Sequence, residues 1–282
     1  MSAMLRWSLV LLPMLVTAVW FRGTSARPRQ PAVVGVVALP EVDVPLQAVT
    51  YRPVKRTPEV AVVEPDLELD PCEVEDVDVL HGPAREVFFG SSDEKVVAIT
   101  FDDGPSRENT PRVLEVLRRA EVHATFFVLG DRAERMGDLL EAIADGGHEI
   151  GNHGFSHTSM RSLWKSQIRD EVCRTQRAVE AATGETPTLV RPPFGRYPPS
   201  AVPLLGGLGY DLVLWSVDAG DWKHDDPLTM ATHVVRAAQP GAIILMHDRE
   251  AITAEALPYI LGGLKRHGYR VVPVSMLIDR EG

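Results

Sequence analysis

The sequence lacks an excess of positive charge. It carries 29 Lys and Arg residues against 39 Asp and Glu residues, which gives a formal net charge of −10. The part up to Arg85 and the part after it are both acidic. Such a chain repels a phosphate backbone, so nucleic acid is not expected as a partner. Hydrophobic residues make up 45% of the chain, which is enough for a globular core and excludes disorder throughout.

Long hydrophobic runs are scarce. The run from Trp7 to Phe21 spans fifteen residues, follows Arg6 and is itself followed by further arginines. This length suits the core of a signal peptide and is short for a membrane span. The small residues at 24–26 can serve as a cleavage site. Residues 1–26 are therefore predicted to be a signal peptide or an uncleaved N-terminal anchor. The protein is expected to be exported to the periplasm, the cell envelope or the medium, with a membrane tether if the segment is kept.

Cysteine is rare as well, and Cys72 and Cys173 are the two present. An exported protein can join two such residues, but a count of two indicates a disulfide only weakly. Two interpretations stay open from the sequence. One is a disulfide between the two cysteines, and the other is a buried free thiol at 173 with a loose thiol at 72.

The sequence changes character near residue 86. Between residues 27 and 86, Pro and Val are scattered, and positions 41–80 hold eleven acidic and three basic residues without a sustained period. This composition predicts an acidic, partly disordered tether, in which VAVVEPDLELD at 60–70 is a candidate edge strand. The regular pattern of residues 87–282 predicts one large domain.

Seven apolar segments typical of strands follow, separated by helical patterns. They are KVVAITF, ATFFVLG, HEIGN, TLVRPP, DLVLWSV, GAIILMH and RVVPVSML. Strands that alternate with helices are expected to be parallel. Continuously apolar strands indicate a sheet covered on both faces, either in a barrel or in an open doubly wound sheet. In both architectures the reactive side chains gather at the carboxyl ends of the strands.

Polar side chains follow five of these strand segments. Each alone has an ordinary structural explanation, such as a turn or an ion pair. Because the carboxyl ends of parallel strands share one rim, together they predict one catalytic site. These side chains are Asp102, Asp103, His153, His157, Arg191, Asp218, Asp221, Trp222 and His247.

One aspartate and the two histidines are candidates for a metal site. Histidines four residues apart can reach one ion, and a carboxylate from another strand end completes a hydrolytic ligand set. Of the adjacent Asp102 and Asp103, one can bind the ion while the other acts as a base toward water. The ion then offsets the repulsion between the two carboxylates.

Five motifs occur in order along the chain: TFDDGP at 100–105, H-x-x-x-H at 153–157, RPPF at 191–194, D-x-x-D-W at 218–222 and L-x-H at 245–247. Together they resemble the polysaccharide deacetylases, carbohydrate esterase family 4, over roughly residues 88–280. The resemblance implies a distorted seven-stranded (β/α) barrel. It also implies metal-dependent removal of N-acetyl groups from an amino-sugar polymer, with release of acetate. Peptidoglycan is the first expectation for that polymer and a chitin-like glycan the second.

The resemblance assigns the metal ligands and the base. Asp103, His153 and His157 would bind the metal, usually zinc, with cobalt or manganese as alternatives. Asp102 would be the general base, held charged and oriented by Arg191. Both assignments suit amide hydrolysis, which needs an activated water and a stabilised oxyanion.

The resemblance also assigns the acid and the substrate contacts. His247 would protonate the departing amine, and Asp218 would pair with His247, with Asp221 as the alternative for that role. The backbone N–H of Phe194 would help hold the oxyanion. The walls of the small acetyl pocket would be Trp222 and Leu245.

Two residues depart from the family's pattern. Gly154 stands where many relatives have a Ser or Thr that supports the second histidine, so a looser orientation of that ligand is expected. Phe194 replaces a more frequent Tyr, which matters little if only its backbone is used. The acid, base and metal positions are intact, which favours an enzyme over a non-catalytic sugar-binding domain. Hydrolysis of O-acetyl esters on the same residues stays an alternative.

Overall fold

The computed structural model describes residues 71–73, 82–90 and 93–278. The predicted signal peptide or anchor at 1–26, most of the tether at 27–86 and the candidate edge strand at 60–70 lie outside the described residues. Within the described part, no helix combines the length and the hydrophobicity that crossing a bilayer requires.

In the described part of the chain, nine parallel strands form one sheet, and helices separate most of them along the sequence. The order across the sheet is β1-β6-β5-β4-β3-β2-β8-β7, and β9 pairs with the start of β2. The strands are β1 (Glu86–Val87), β2 (Val96–Gly104), β3 (Thr125–Val128), β4 (Glu149–Asn152), β5 (Leu189–Val190), β6 (Asp211–Val213), β7 (Val217–Asp218), β8 (Ile243–His247) and β9 (Arg270–Val271). The helices are α1 (Thr110–Ala120), α2 (Gly130–Arg135), α3 (Gly137–Asp145), α4 (Lys165–Thr183), α5 (Ala201–Gly207), α6 (Pro227–Ala237), α7 (Ala251–Arg266) and α8 (Val274–Ile278).

The segment 211–218 joins the two ends of the sheet. Its first part, β6, pairs with β5 and β1, whereas its last part, β7, pairs with β8. Between them the N–H of Leu214 donates to the carbonyl of Val87, and the N–H of Ser216 donates to the carbonyl of Ile243. Because one segment bonds to both ends, the sheet curls into a distorted (β/α) barrel. The predicted fold class is confirmed.

The seven predicted strands all have counterparts, with two corrections. DLVLWSV was expected as one strand, but it is divided into β6 and β7 because its two parts bond to opposite ends of the sheet. RVVPVSML was expected as one strand, but only Arg270–Val271 pairs, and Val274–Ile278 is helical. Pro273 lacks the N–H that a strand ladder needs, so the strand cannot continue through it. The short elements β1 and α2 were not predicted.

The side chains of β2 alternate between two cores. Val97, Ile99 and Phe101 pack outward in the cluster that contains residues of α1 and α7. Val96 and Ala98 belong to a second cluster with residues of β3, β6 and β8. Successive strand side chains point to opposite faces, so Thr100 and Asp102 continue this inner row. All nine residues of β2 are buried, and the strand therefore carries Asp102 to the inner rim of the barrel.

Residues 71–73 and 82–87 pack on the domain. Cys72 forms a disulfide with Cys173 of α4, with the two Cα atoms 5.7 Å apart. Of the two interpretations left open by the sequence, the structure therefore has the cysteines paired. The N–H of Ala84 donates to a carbonyl of α5, and the guanidinium of Arg85 lies 2.7 Å from the carboxylate of Asp211. Strand β1 straddles the predicted boundary between tether and domain.

Candidate active site

Asp103 forms a bulge at the carboxyl end of β2. Its φ is 70°, in the left-handed region, and the register between β2 and β3 shifts between Asp102 and Gly104. A bulge adds a residue to one strand and re-aims its side chain. Asp103 therefore reaches the same rim as Asp102 instead of the opposite face. The Nε2 of His153 lies 3.7 Å from Oδ2 of Asp102 and 3.5 Å from Oδ1 of Asp103.

Asp103, His153 and His157 form the one group of metal-ligating side chains found in the described part of the chain. Their ligand atoms lie within 4.8 Å of one another, and Nε2 of His157 is 3.0 Å from Oδ1 of Asp103. Burial raises the pKa of Asp103, but hydrogen bonds and charge from the two imidazoles outweigh burial and hold that pKa well below its ordinary value. One carboxylate and two imidazoles are a donor set suited to zinc and related divalent ions.

The ring of His153 is oriented by a backbone carbonyl. Its Nδ1 lies 2.7 Å from the carbonyl oxygen of Arg191. A carbonyl can only accept, so Nδ1 carries the proton in the metal-binding tautomer. When the ring is neutral, the lone pair of Nε2 therefore faces Asp103 and His157. Ligating histidines in metal sites are commonly fixed through their second nitrogen in this way.

Arg191 is fully buried and holds Asp102 in place. Its Nη1 donates to Oδ1 of Asp102 and to Oγ1 of Thr100, both at 2.7 Å. Its guanidinium lies 4.1 Å from the centroid of the Phe127 ring. Burial lowers the pKa of Arg191, and the ion pair with Asp102 opposes that effect. Arg191 thus fixes Asp102 through its side chain and His153 through its carbonyl.

His247 ends β8 beside the end of β2. Its Cα pairs with that of Asp102 in the β2–β8 register, and its Nδ1 lies 2.9 Å from Oδ1 of Asp221. Oδ2 of Asp221 accepts from the backbone N–H of His247 at 2.5 Å and from the hydroxyl of Thr253 at 2.8 Å. Burial lowers the pKa of His247, but the hydrogen bond and charge of Asp221, together with the charges of Asp102 and Asp103, outweigh it and raise the pKa to about 9. A protonated imidazole at neutral pH is suited to act as a general acid.

Among the described residues, no hydrogen bond or ion pair joins Asp218 to His247, and Asp221 has the pairing that was expected of Asp218. Asp218 is in register with Leu245, two residues before His247 on β8. Its Oδ1 accepts from the N–H of Gly220 at 2.8 Å, so the carboxylate closes its own turn. Asp221, three residues further along, pairs with His247 instead. Asp221 is the alternative that the sequence left open for this pairing.

The residues predicted to contact substrate differ in exposure. Leu245 is buried in the same inner row as His247, whereas Trp222 is 66% exposed at the rim. Phe194 is 58% exposed, has a φ of 61°, and its ring centroid lies 4.5 Å from that of His157. The sequence reasoning gave a role only to the Phe194 backbone, so this ring contact with a metal-ligand candidate was missed.

Three charged residues beside the site were not predicted. Asp248 is fully buried, accepts from the hydroxyl of Thr110, and has its pKa raised by burial to about 7. Nη1 of Arg249 lies 3.6 Å from Oδ2 of Asp103. Glu171 of α4 accepts hydrogen bonds from the loop that carries His157. All three lie outside the five motifs, so motif spacing gave no signal for them.

Comparison with known proteins identifies similar sequences. A family model described as polysaccharide deacetylase matches residues 89–213. A peptidoglycan-N-acetylglucosamine deacetylase of Bacillus cereus is 38% identical over 192 residues, covering 66% of this chain and 90% of that protein. A peptidoglycan-N-acetylglucosamine deacetylase of Listeria monocytogenes is 37% identical over 183 residues, which are 65% of this chain. The match spans only 39% of the length of the Listeria protein.

Solved structures give the same family with one warning. A carbohydrate esterase family 4 pseudoenzyme of Bacillus anthracis superposes with a TM-score of 0.66 at 34% identity, covering 70% of this chain and 69% of that one. A similar fold and sequence therefore do not by themselves establish activity. In the present chain the side chains at the rim decide what chemistry the fold can perform.

Proposed function

This chain belongs to the polysaccharide deacetylase family, carbohydrate esterase family 4, and from that premise we propose that it is a metal-dependent de-N-acetylase of peptidoglycan. The reaction hydrolyses the N-acetyl group of an amino sugar, releases acetate and leaves a free amine. One observation carries the proposal: the ligand atoms of Asp103, His153 and His157 converge within 4.8 Å. They do so beside Asp102 and His247, which pair in register near the carboxyl ends of β2 and β8.

The proposed metal is zinc, with cobalt or manganese as alternatives. The ligands are one oxygen of Asp103 and the Nε2 atoms of His153 and His157. The hydrogen bond from Nδ1 of His153 to a carbonyl supports this assignment, because in the neutral imidazole it leaves Nε2 free to bind a metal. When bound, a divalent ion supplies Lewis acidity to the acetyl carbonyl and to the attacking water.

Asp102 is the proposed general base, and it takes a proton from the attacking water. Arg191 occupies one oxygen of Asp102 at 2.7 Å. The other oxygen, Oδ2, is directed toward His153 at 3.7 Å. Because Arg191 binds Oδ1, the carboxylate of Asp102 cannot rotate freely, and Oδ2 stays on the side of Asp103, His153 and His157.

His247 is the proposed general acid. The amine of an amide is a poor leaving group, so it needs a proton as the C–N bond breaks. Asp221 supports this role because it is the main cause that raises the pKa of His247, which is about 9, and because it fixes the ring through Nδ1. The proton on Nε2 is then available to the nitrogen of the substrate. This assignment gives Asp221 the position that Asp218 was expected to fill.

The oxyanion and the acetyl group have proposed partners on the same rim. The backbone N–H of Phe194 is the proposed donor to the developing oxyanion. Leu245, buried below His247, and Trp222, exposed beside Asp221, are the proposed walls around the acetyl methyl group. Such a pocket favours a small acyl group over a long one.

Peptidoglycan is the first choice of substrate, and a chitin-like glycan is the second. The names of the Bacillus cereus and Listeria proteins, both peptidoglycan-N-acetylglucosamine deacetylases, support this order. Export is part of the proposal, since the substrate lies outside the cytoplasm. The disulfide between Cys72 and Cys173 supports it, because stable disulfides are typical of oxidising compartments.

The test is an acetate-release panel on purified peptidoglycan, acetylated chito-oligomers and acetylated xylan, with and without a chelator. We expect the wild type to release acetate from peptidoglycan and to lose this activity when the chelator is present. The Asp102→Asn variant should release no acetate. Binding of glycan without acetate release from any substrate would indicate a non-catalytic domain instead. Retention of most activity by His247→Ala would favour ester hydrolysis, because an alkoxide leaves without the proton that an amine requires.

A further inference from the structure

The loop between the two histidines, residues 153–157, has a strained backbone. Gly154 has a φ of 77° and His157 a φ of 60°. A histidine in this left-handed region is held there at an energetic cost, so the surrounding contacts must fix it. Any side chain at 154 would be strained at that φ, so this chain cannot use a hydroxyl there without distortion. The support for His157 has to come from elsewhere.

Glu171 of α4 accepts three hydrogen bonds from this loop. Its Oε2 accepts from the backbone N–H of Phe155 at 2.7 Å and from that of Ser156 at 2.8 Å. Its Oε1 accepts from the hydroxyl of Ser156 at 2.8 Å. One carboxylate thus binds two consecutive backbone donors directly before His157. Hydrogen bonds to a charged acceptor are stronger than those between neutral groups.

The rest of the loop backbone is held from the opposite side. The N–H groups of Gly130 and Asp131, at the start of α2, donate to the carbonyls of Gly154 and Phe155 at 3.0 and 3.1 Å. The guanidinium of Arg174 lies 3.5 Å from the centroid of the Phe155 ring. Helix α2 therefore binds the loop's acceptors, and α4 binds its donors. Of these contacts, the Glu171 bonds are nearest in sequence to His157.

We propose that Glu171 is a positioning residue that holds His157 in its metal-binding orientation. The carboxylate takes over the support that the family pattern assigns to a Ser or Thr at the position of Gly154. The inference rests on the proposed metal-dependent function, because it gives Glu171 a part in binding that metal through His157. It also replaces the expectation of a loosely oriented second histidine with a specific anchor.

The experiment compares the full chain with Glu171→Ala and Glu171→Gln. Asp170→Asn is the matched control, because it removes a carboxylate from the next position of the same helix, where the side chain is exposed. Ile168→Val is the stability control, since Ile168 is buried on the same helix in a core cluster that contains no residue of the loop 153–157. The readouts are the zinc dissociation constant from chelator competition, amide exchange in the zinc-free protein, and acetate release at rising zinc concentration.

We expect Glu171→Ala to weaken zinc binding by about 10–100-fold, the usual effect of losing a group that orients a ligand. Exchange of the amides of Phe155 and Ser156 should become faster, and saturating zinc should restore activity. The zinc affinity of Glu171→Gln should lie between those of the wild type and Glu171→Ala, because the amide keeps one oxygen that accepts a hydrogen bond. Asp170→Asn should match the wild type, and Ile168→Val should lower the melting temperature without changing zinc affinity.

The inference is overturned if folded Glu171→Ala binds zinc as tightly as the wild type. If Glu171→Ala does not fold, Glu171→Gln decides the question by the same criterion. If the wild type binds zinc but releases no acetate, the proposed function is refuted and the inference about Glu171 is not. In that case the zinc affinities and exchange rates of the variants still test Glu171.

Discussion

Nδ1 of His247 lies 2.9 Å from Oδ1 of Asp221, and the Cα of His247 pairs in register with that of Asp102. The proposed acid and base are therefore neighbours on adjacent strands, and Asp221 lies behind the acid. Asp221 accepts three hydrogen bonds, two of them from His247 itself. Asp221 therefore has the largest part in keeping His247 protonated, and the charges of Asp102 and Asp103 add to its effect.

Replacing that carboxylate should move the alkaline limb of activity. The wild type should lose activity as pH rises through about 9, where His247 gives up its proton. In Asp221→Asn the limb should move toward the ordinary histidine value of 6.5. At pH 7 kcat/KM should then fall by roughly fourfold from lost protonation alone, and the fall should approach the ~10²–10⁴-fold worth of a general acid only at higher pH. A pH profile of kcat/KM measures both effects. Asp218→Asn is the control, and an equal shift in that variant would contradict the pairing.

The same pair should make stability depend on pH. A histidine whose pKa is raised on folding stabilises the fold fully below its unfolded value, here 6.5, and loses that contribution as pH rises through about 9. The wild type should therefore exceed Asp221→Asn in stability most in mildly acidic solution just below pH 6.5, and the difference should shrink as pH rises toward about 9. Urea unfolding of the zinc-free proteins at several pH values tests this. A difference that grows with pH would refute it.

Removing the buried guanidinium should destabilise the domain. Arg191→Met leaves the carboxylate of Asp102 buried without its cation, which costs about 3–5 kcal/mol of unfolding free energy. Arg191→Lys keeps the charge but cannot donate simultaneously to Thr100, Asp102 and the carbonyls around it, so it should restore stability only in part. Denaturant unfolding measures the loss, with the exposed Arg161→Met as the control. Equal stability of Arg191→Met and the wild type would argue against the network.

Zinc should stabilise the folded protein through the three ligands. At a free zinc concentration 100 times the dissociation constant, the gain is about 2.7 kcal/mol. Thermal unfolding with chelator and with zinc should show this gain in the wild type. His157→Ala should show little of it, because one of three ligands is gone. His267→Ala changes a histidine outside the ligand cluster, so it should respond to zinc like the wild type.

The disulfide should contribute strongly to stability. Changing both Cys72 and Cys173 to Ser should lower the unfolding free energy by about 2–5 kcal/mol. A reductant should lower the melting temperature of the wild type toward that of the double variant and leave the variant unchanged. If complete reduction of the bridge leaves the melting temperature of the wild type unchanged, the bridge does not stabilise the fold.

Strand ends were the part of the site that the sequence could predict. Apolar segments mark the strands, and parallel strands bring their carboxyl ends to one rim, so Asp102, His153, Arg191 and His247 were expected to meet there. The structure brings them together. This inference needs only strand direction and not the detailed register.

Details that depend on register could not be predicted. Asp218 and Asp221 are the same residue type three positions apart, and only the pairing of Asp218 with Leu245 decides which of them reaches His247. The bulge at Asp103 is likewise a property of local backbone geometry. Glu171 lies on a helix distant from the motifs, so its contact with the loop emerges only when α4 packs beside β4.

The disulfide between Cys72 and Cys173 extends the part of the chain that a recombinant fragment of this domain must include. A fragment started at residue 87 would discard Cys72, Ala84 and Arg85, all of which contact the barrel. It would also leave an unmatched thiol two positions from Glu171, on the helix that anchors the histidine loop. The smallest fragment that keeps these contacts therefore begins upstream of Cys72. A fragment limited to the residues that the family model matches, 89–213, would lack both the disulfide and His247.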